Sequence, residues 1–244
     1  MCPLPEINES LRARYGTSTL LPGLAPDLIV RHEAGWHPAT ALRGPLLDEL
    51  LAKAQRHWRA RPATAAALAW KAYTYWVCLP AVTGWLAVRQ VPLLSAANVL
   101  VRLDGAGFVT VGLRAGLPVA VGPSPGAALA AGAGDLLVVP DPLAAMRSSL
   151  LEEHLLPVLD AIAERARVGR RTLLGSVAAA VAATGLRAAD PPGTVRLLTA
   201  LGLDDLVEVL PGGPRRRTCC LAFTLPIPKI CRDCCLRTSP PPVA

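Results

Sequence analysis

The chain has 244 residues, 52% of them hydrophobic and 18% charged, enough apolar material for a substantial packed core and too much for a globally disordered chain. Its net charge is +7, and residues 211–244 hold six cations (Arg215, Arg216, Arg217, Lys229, Arg232 and Arg237) against one acid, Asp233. An excess so localised points to an anionic ligand or partner near the C-terminal end, and the Arg215–Arg217 run lacks the interleaved aromatics of a nucleic-acid binder.

The opening segment, MCPLPEINES, carries Glu6 and Glu9 and has no basic stretch followed by an apolar one. It therefore reads as lacking a signal peptide, and the expected location is the cytoplasm, where structural disulfides are rare. Residues 1–43, with Pro22, Pro26, Pro38, Gly16, Gly23 and Gly35, read as loops and short pieces; His32 and His37 flank Trp36 there without a ligating spacing. From Pro45 the pattern becomes helical: Leu46, Leu47, Leu50, Leu51 and Ala54 recur on one face, with proline in the first turn. A second helix is expected from Pro62 to about Cys78 and a third from Pro80. The charge-free run 72–88 is bounded by Lys71 and Arg89 and is shorter than the ~20 residues a bilayer core requires. It reads as buried helix and not as a transmembrane span; peripheral contact of the alanine-rich helices with a membrane surface is compatible with this.

Alternating apolar residues at Val99, Val101 and Leu103, then Asp104-Gly105-Ala106-Gly107, then Phe108, Val109 and Val111, predict a β-hairpin over 98–114. Further strands are expected at 117–121 and 136–139, separated by a low-complexity loop at 122–134. Neither Gly105-Ala106-Gly107 nor Gly132-Ala133-Gly134 has the third glycine of a dinucleotide site. Asp141-Pro142 is a helix start, and that helix extends to about Arg167 with a break or kink near Leu156 caused by Pro157. A helix at 170–184 closes at Gly185, a short one follows Thr194 and stops at Gly202, and Pro211-Gly212-Gly213-Pro214 reads as a linker. The expected fold class is α+β, mostly helical with a small antiparallel sheet, divided into a domain at 1–210 and a C-terminal cysteine segment at 211–244.

Five of seven cysteines fall within that segment: Cys219, Cys220, Cys231, Cys234 and Cys235. The pattern Cys-Cys-x10-Cys-x2-Cys, with one extra cysteine directly after, offers soft thiolate ligands suited to zinc or to an iron–sulfur cluster. Adjacent cysteines ligate one ion only with backbone strain, whereas a two-iron cluster is wider; both metals remain candidates on residues alone. Cys78, inside an apolar helix, reads as core, and Cys2 is remote. His154 reads as part of a partly exposed helix face, and Arg102, Arg170 and Arg171 as surface residues that could line a ligand pocket.

The tail RRRTCCLAFTLPIPKICRDCC resembles the C-terminal signature of the FhuF-type ferric-siderophore reductases. Residues 66–103 resemble that family's helix–hairpin core, and residues 150–186 its following helices, shared loosely with the aerobactin-type siderophore synthetases. The resemblance implies a [2Fe–2S] cluster ligated by Cys219, Cys220, Cys231 and Cys234, with Cys235 departing from the pattern. It implies one-electron reduction of a ferric siderophore, an oxidoreductase activity that releases Fe(II), with electrons from a separate donor protein. Arg215, Arg216, Arg217 and Arg232 are then expected to stabilise the cluster's charge or to dock the siderophore or donor. The rival expectation is a non-enzymatic protein that binds a siderophore or a partner through a structural zinc site of four cysteines.

Overall fold

The computed structural model describes residues 4–16, 21–103, 108–123, 135–188 and 190–237. The fold is α+β, with helices dominant and small sheets beside them. The chain forms two compact units, Met1–Thr40 with Trp76–Leu155, and Ala41–Tyr75 with Leu156–Ala244. No helix among the described residues is long and apolar enough to cross a membrane.

In the first unit the N-terminal stretch is more ordered than its prolines and glycines suggest. Leu4, Ile7, Leu11 and Tyr15 recur at helical spacing and bury one side of α1 (Leu4–Tyr15). Strands β1 (Leu24–Val30) and β2 (His37–Pro38) follow. The expected hairpin forms from β4 (Val99–Arg102) and β5 (Thr110–Arg114), which pair antiparallel with Val101 opposite Val111; the turn, 104–107, lies outside the described residues. β1 joins β5 in parallel and β2 joins β4 antiparallel. A second sheet pairs β3 (Gln90–Pro92) antiparallel to β6 (Val119–Val121), with β7 (Leu136–Val138) parallel to β6. The strands at 117–121 and 136–139 are therefore present, but the sheets are mixed and not purely antiparallel. Both parallel pairs join strands separated by long connections, which free them from the antiparallel constraint of a hairpin; most of the 122–134 connection, 124–134, lies outside the described residues.

Asp141 caps the short helix α4 (Pro142–Met146), its carboxylate accepting from the Leu143 and Ala144 amides. The chain then widens into a π-helical stretch, Arg147–Leu155. Contacts five residues apart, Arg147 to Glu152 and Ser148 to Glu153, follow that wider pitch. Pro157 thus changes the winding of the helix and does not end it. His154 is fully buried, not on a partly exposed face, and its Nδ1–H donates to the Leu94 carbonyl at 2.8 Å. Arg102 lies over the Trp36 ring at 4.8 Å and so belongs to this unit's own packing.

The second unit contains α2 (Pro45–Trp58), the first half of α3 (Pro62–Val88), α5 (Leu156–Ala166), α6 (Arg170–Arg187), α7 (Pro191–Leu201) and the strands β8 (Val207–Leu210) and β9 (Gly213–Arg216). α2 buries Leu47, Leu50, Leu51 and Ala54 as its periodicity requires. α3 is one helix where two were expected, running through Pro80. The proline costs a helix about 3 kcal/mol, but Leu79, Ala81 and Val82 around it are wholly buried, and their packing outweighs the lost hydrogen bond. α6 likewise passes its expected stop, because Gly185 is where Thr194 packs against the helix: a Cβ there would meet Thr194 Oγ1 at 2.2 Å. α7 begins earlier than expected, capped by Asp190, and ends at Gly202 with φ 68°. Pro211–Pro214 is no linker. It turns β8 back onto β9, with Glu208 opposite Arg215 and Leu210 opposite Gly213.

Candidate metal centre

The cysteine segment is fastened at both ends to the second unit's helices and hairpin. The Arg216 amide donates to the Asp233 carbonyl at 2.9 Å and the Arg217 amide to the Leu206 carbonyl at 2.9 Å. The Lys229 amide donates to Ala222 O, which closes the ten-residue excursion, and the Thr64 and Thr224 hydroxyls meet at 2.6 Å. α6 comes so close that a Cβ on Gly175 would lie 1.7 Å from Thr218 Oγ1, one residue before Cys219.

These restraints bring the sulfurs into two groups. Cys220 and Cys231, eleven residues apart, stand with sulfurs 3.0 Å from each other. Cys235 lies beside Cys219 and Cys234, its thiol sharing hydrogen bonds with both sulfurs. Cys219 Sγ accepts from the Leu221 amide at 3.3 Å and Cys234 Sγ from the Leu236 amide at 3.4 Å; the Ala222 amide serves Cys220 in the same way. Backbone N–H groups are thus aimed at three of the sulfurs. Cys235 is instead pushed up, first by burial and then by the charges of Cys219 and Cys234, and it is more exposed than Cys234. Among the described residues no group of three or more His, Cys, Asp or Glu side chains is arranged to hold a single metal ion.

Around Cys220 an apolar shell forms from Ala222, Leu225, Trp58 and Leu68. The Cys220 thiol is pulled down to about 5, chiefly by the hydrogen bond from Cys231 and further by the Ala222 amide, Lys71 and Arg216. Cys231, holding the shared proton, is pushed up. Burial opposes the Lys71 ammonium, but Asp233 and the sulfurs of Cys231 and Cys220 outweigh it and raise its pKa.

The positive charge has an unexpected distribution. Arg216 is only 1% exposed, so it has no surface to offer a docking partner. Its Nη2 donates to Ser176 Oγ at 3.0 Å, while Nε and Nη1 are buried without a hydrogen-bond partner. Asp233 Oδ2 is 4.0 Å from Nε, and Asp233 Oδ1 is taken by Lys71 Nζ at 3.1 Å. Two buried or half-buried cations therefore share one carboxylate, and the surplus faces the sulfurs. Arg215 and Arg217 both pair with Glu208 on the neighbouring strand, while Arg232 is exposed within the Cys231–Cys234 turn. Arg170 pairs with Asp160 and Arg171 with Asp205, which occupies both at the surface.

The sequence reading missed Lys71 and Asp233. Lys71 looked like the boundary of an apolar run, and Asp233 like a lone acid among cations; neither carries a motif. It also missed an apolar rim, since Phe223, Ile227, Ile230 and Leu236 are all exposed. No protein-family profile matches the chain, and no curated protein matches it either.

Proposed function

We propose that the protein is a ferric-siderophore reductase holding a [2Fe–2S] cluster on Cys219, Cys220, Cys231 and Cys234, as its likeness to the FhuF-type reductases implies. The observation that carries this reading is the pair of cations Arg216 and Lys71, which share the single carboxylate of Asp233, beside a cluster of soft sulfur donors. The donor set is of the right chemistry for the group: Cys220 stands with Cys231, Cys219 and Cys234 both stand beside Cys235, and the Arg216 nitrogens without a hydrogen-bond partner suit an anion. When bound, such a cluster supplies a one-electron couple matched to Fe(III)/Fe(II).

The chain's own residues set the conditions. Arg216 and Lys71 hold negative charge at the sulfurs and favour the reduced state. The amides of Leu221, Ala222 and Leu236 orient the thiolates, and Trp58 and Leu68 exclude water from Cys220. The apolar rim of Phe223, Ile227 and Ile230, with Lys229 and Arg232 among it, suits a separate acidic electron-carrier protein as reductant. One electron passes from that carrier to the chelated iron; hard oxygen ligands then hold the resulting Fe(II) weakly, and it is released. We place the reaction in the cytoplasm, where thiols stay reduced.

Anaerobic purification tests this directly. The protein should be reddish-brown with about two irons and two acid-labile sulfides per chain, and Cys231→Ser should be colourless. A colourless wild-type protein carrying one zinc overturns the reading.

A further inference from the structure

The Cys220 and Cys231 sulfurs stand 3.0 Å apart, inside their van der Waals separation and about 1 Å beyond the ~2.05 Å length of an S–S bond. The backbone holds them there from both sides. The Lys229 amide donates to Ala222 O at 3.1 Å and closes the excursion between the two cysteines. The Cys231 carbonyl accepts from the Arg237 Nε–H at 2.8 Å and from the Cys234 amide at 3.2 Å, which fixes the far arm of the loop. On the near arm Cys220 packs among Ala222, Leu225, Trp58 and Leu68. The two thiols differ in access: Cys220 is 3% exposed, whereas Cys231 is half-buried. Cys219, Cys234 and Cys235 form the other group, in which Cys235 lies between two neighbours and no one pair is selected.

We infer that Cys220 and Cys231 are a site of reversible oxidation, closing a disulfide in the metal-free chain when hydrogen peroxide reaches Cys231. The Cys231 sulfur attacks one peroxide oxygen: the O–O bond breaks, an S–O bond forms, and the thiol proton leaves with the displaced hydroxide as water. Cys220 then attacks the Cys231 sulfenic acid. The S–S bond forms, the S–O bond breaks, and the Cys220 proton leaves with hydroxide as a second water. Two thiols have given two electrons to one peroxide. Lys71 and Arg216 act on Cys220 and favour negative charge on its sulfur as it attacks. A partner so close intercepts the sulfenic acid before it passes to the irreversible sulfinic state. Transient, redox-sensing disulfides of this kind are the ones a reducing compartment permits. The inference holds whichever metal the sulfurs take, and the disulfide consumes two of the candidate donors.

The test uses the full chain, reduced, stripped of metal with an anaerobic chelator and treated with one equivalent of hydrogen peroxide. Two of the seven thiols should be lost and should return with dithiothreitol. With free thiols blocked, cleavage after Lys and Arg separates Cys231 (230–232) from Cys219 and Cys220 (218–229) and from Cys234 and Cys235 (233–237). Mass spectrometry should find 218–229 joined to 230–232. Cys220→Ser should slow that crosslink at least tenfold, and Cys219→Ser should leave its rate unchanged. Retention of all seven thiols, a dominant crosslink to 233–237, or equal rates in the two variants overturns the inference. Iron and sulfide content of the untreated protein reports separately on the reductase reading. A coloured protein whose stripped chain lacks the crosslink sinks the oxidation site alone, and a colourless one that forms it sinks the reductase alone.

Discussion

At the scale of residues, the clearest demand is that of Arg216. A buried guanidinium with two unsatisfied nitrogens costs the protein stability unless an anion meets it. Replacing it with methionine should therefore have opposite effects in two states. The metal-free chain should gain roughly 1–3 kcal/mol, read as a higher melting temperature, while the variant should retain less iron on anaerobic dialysis than wild type. Equal melting shifts in both states would show that the charge does not serve the metal. Cys234 and Cys235 separate by the same reasoning. Because Cys234 is the more buried and accepts the Leu236 amide, Cys234→Ser should bleach the protein and Cys235→Ser should leave its absorption spectrum intact. His154 belongs to another ledger. Burial lowers its pKa from 6.5 to about 4, so the folded state keeps the ring neutral where the unfolded state would take up a proton. Its contribution is complete above pH 6.5 and is lost as the pH falls toward 4, by an amount on the order of 3 kcal/mol. His154→Gln should flatten the melting temperature across that window relative to wild type; parallel curves would contradict the assignment.

At the scale of elements, the meeting of α6 with the cysteine loop is the tightest restraint. Gly175 makes it possible, and Gly175→Ala should push Thr218 away at a cost of about 1–3 kcal/mol. Thermal melts should show the loss, and iron content should fall with it because Cys219 follows Thr218 directly. Retention of full iron content would mean that the loop is positioned from the hairpin side alone. How legible these elements were depended on whether their cause was local. The caps at Asp141 and Gly202, the α2 stripe and the β4–β5 alternation are local signals, and they fall where residue chemistry puts them. The continuity of α3 through Pro80 and of α6 through Gly185 is decided by partners distant in sequence, and the same holds for β9, whose Pro-Arg-Arg stretch has no strand pattern. The cysteine spacing raised a metal site as an expectation from sequence alone, whereas the charges beside the sulfurs carried no signal: Lys71, Arg216 and Asp233 become one group only when α3, β9 and the Cys231–Cys234 turn are folded.

At the scale of the whole molecule, the candidate site falls within one of the two units. The sulfurs and the surplus charge belong to Ala41–Tyr75 with Leu156–Ala244, while the mixed sheets and His154 belong to the other unit. Stripping the metal with an anaerobic chelator should accordingly raise hydrogen exchange within 41–75 and 156–237 and leave the β4–β5 pairing protected. A uniform rise over both units would show that the centre holds the whole chain together. The α+β class was readable from the succession of periodicities. The assembly of this second unit from two separated segments was not, since nothing at positions 40 or 75 marks a boundary.

The surplus charge beneath the sulfurs has one more consequence, and it concerns lifetime. A chain made when iron is scarce keeps Arg216 buried with two nitrogens lacking a hydrogen-bond partner, next to a loop that displays Phe223, Ile227 and Ile230 and that the metal would help to hold. Apolar residues on a loosened loop are what proteases and chaperones select. On this reading the unloaded protein is short-lived and the loaded one persists, so that the cell's iron supply sets the abundance of the protein that draws on it.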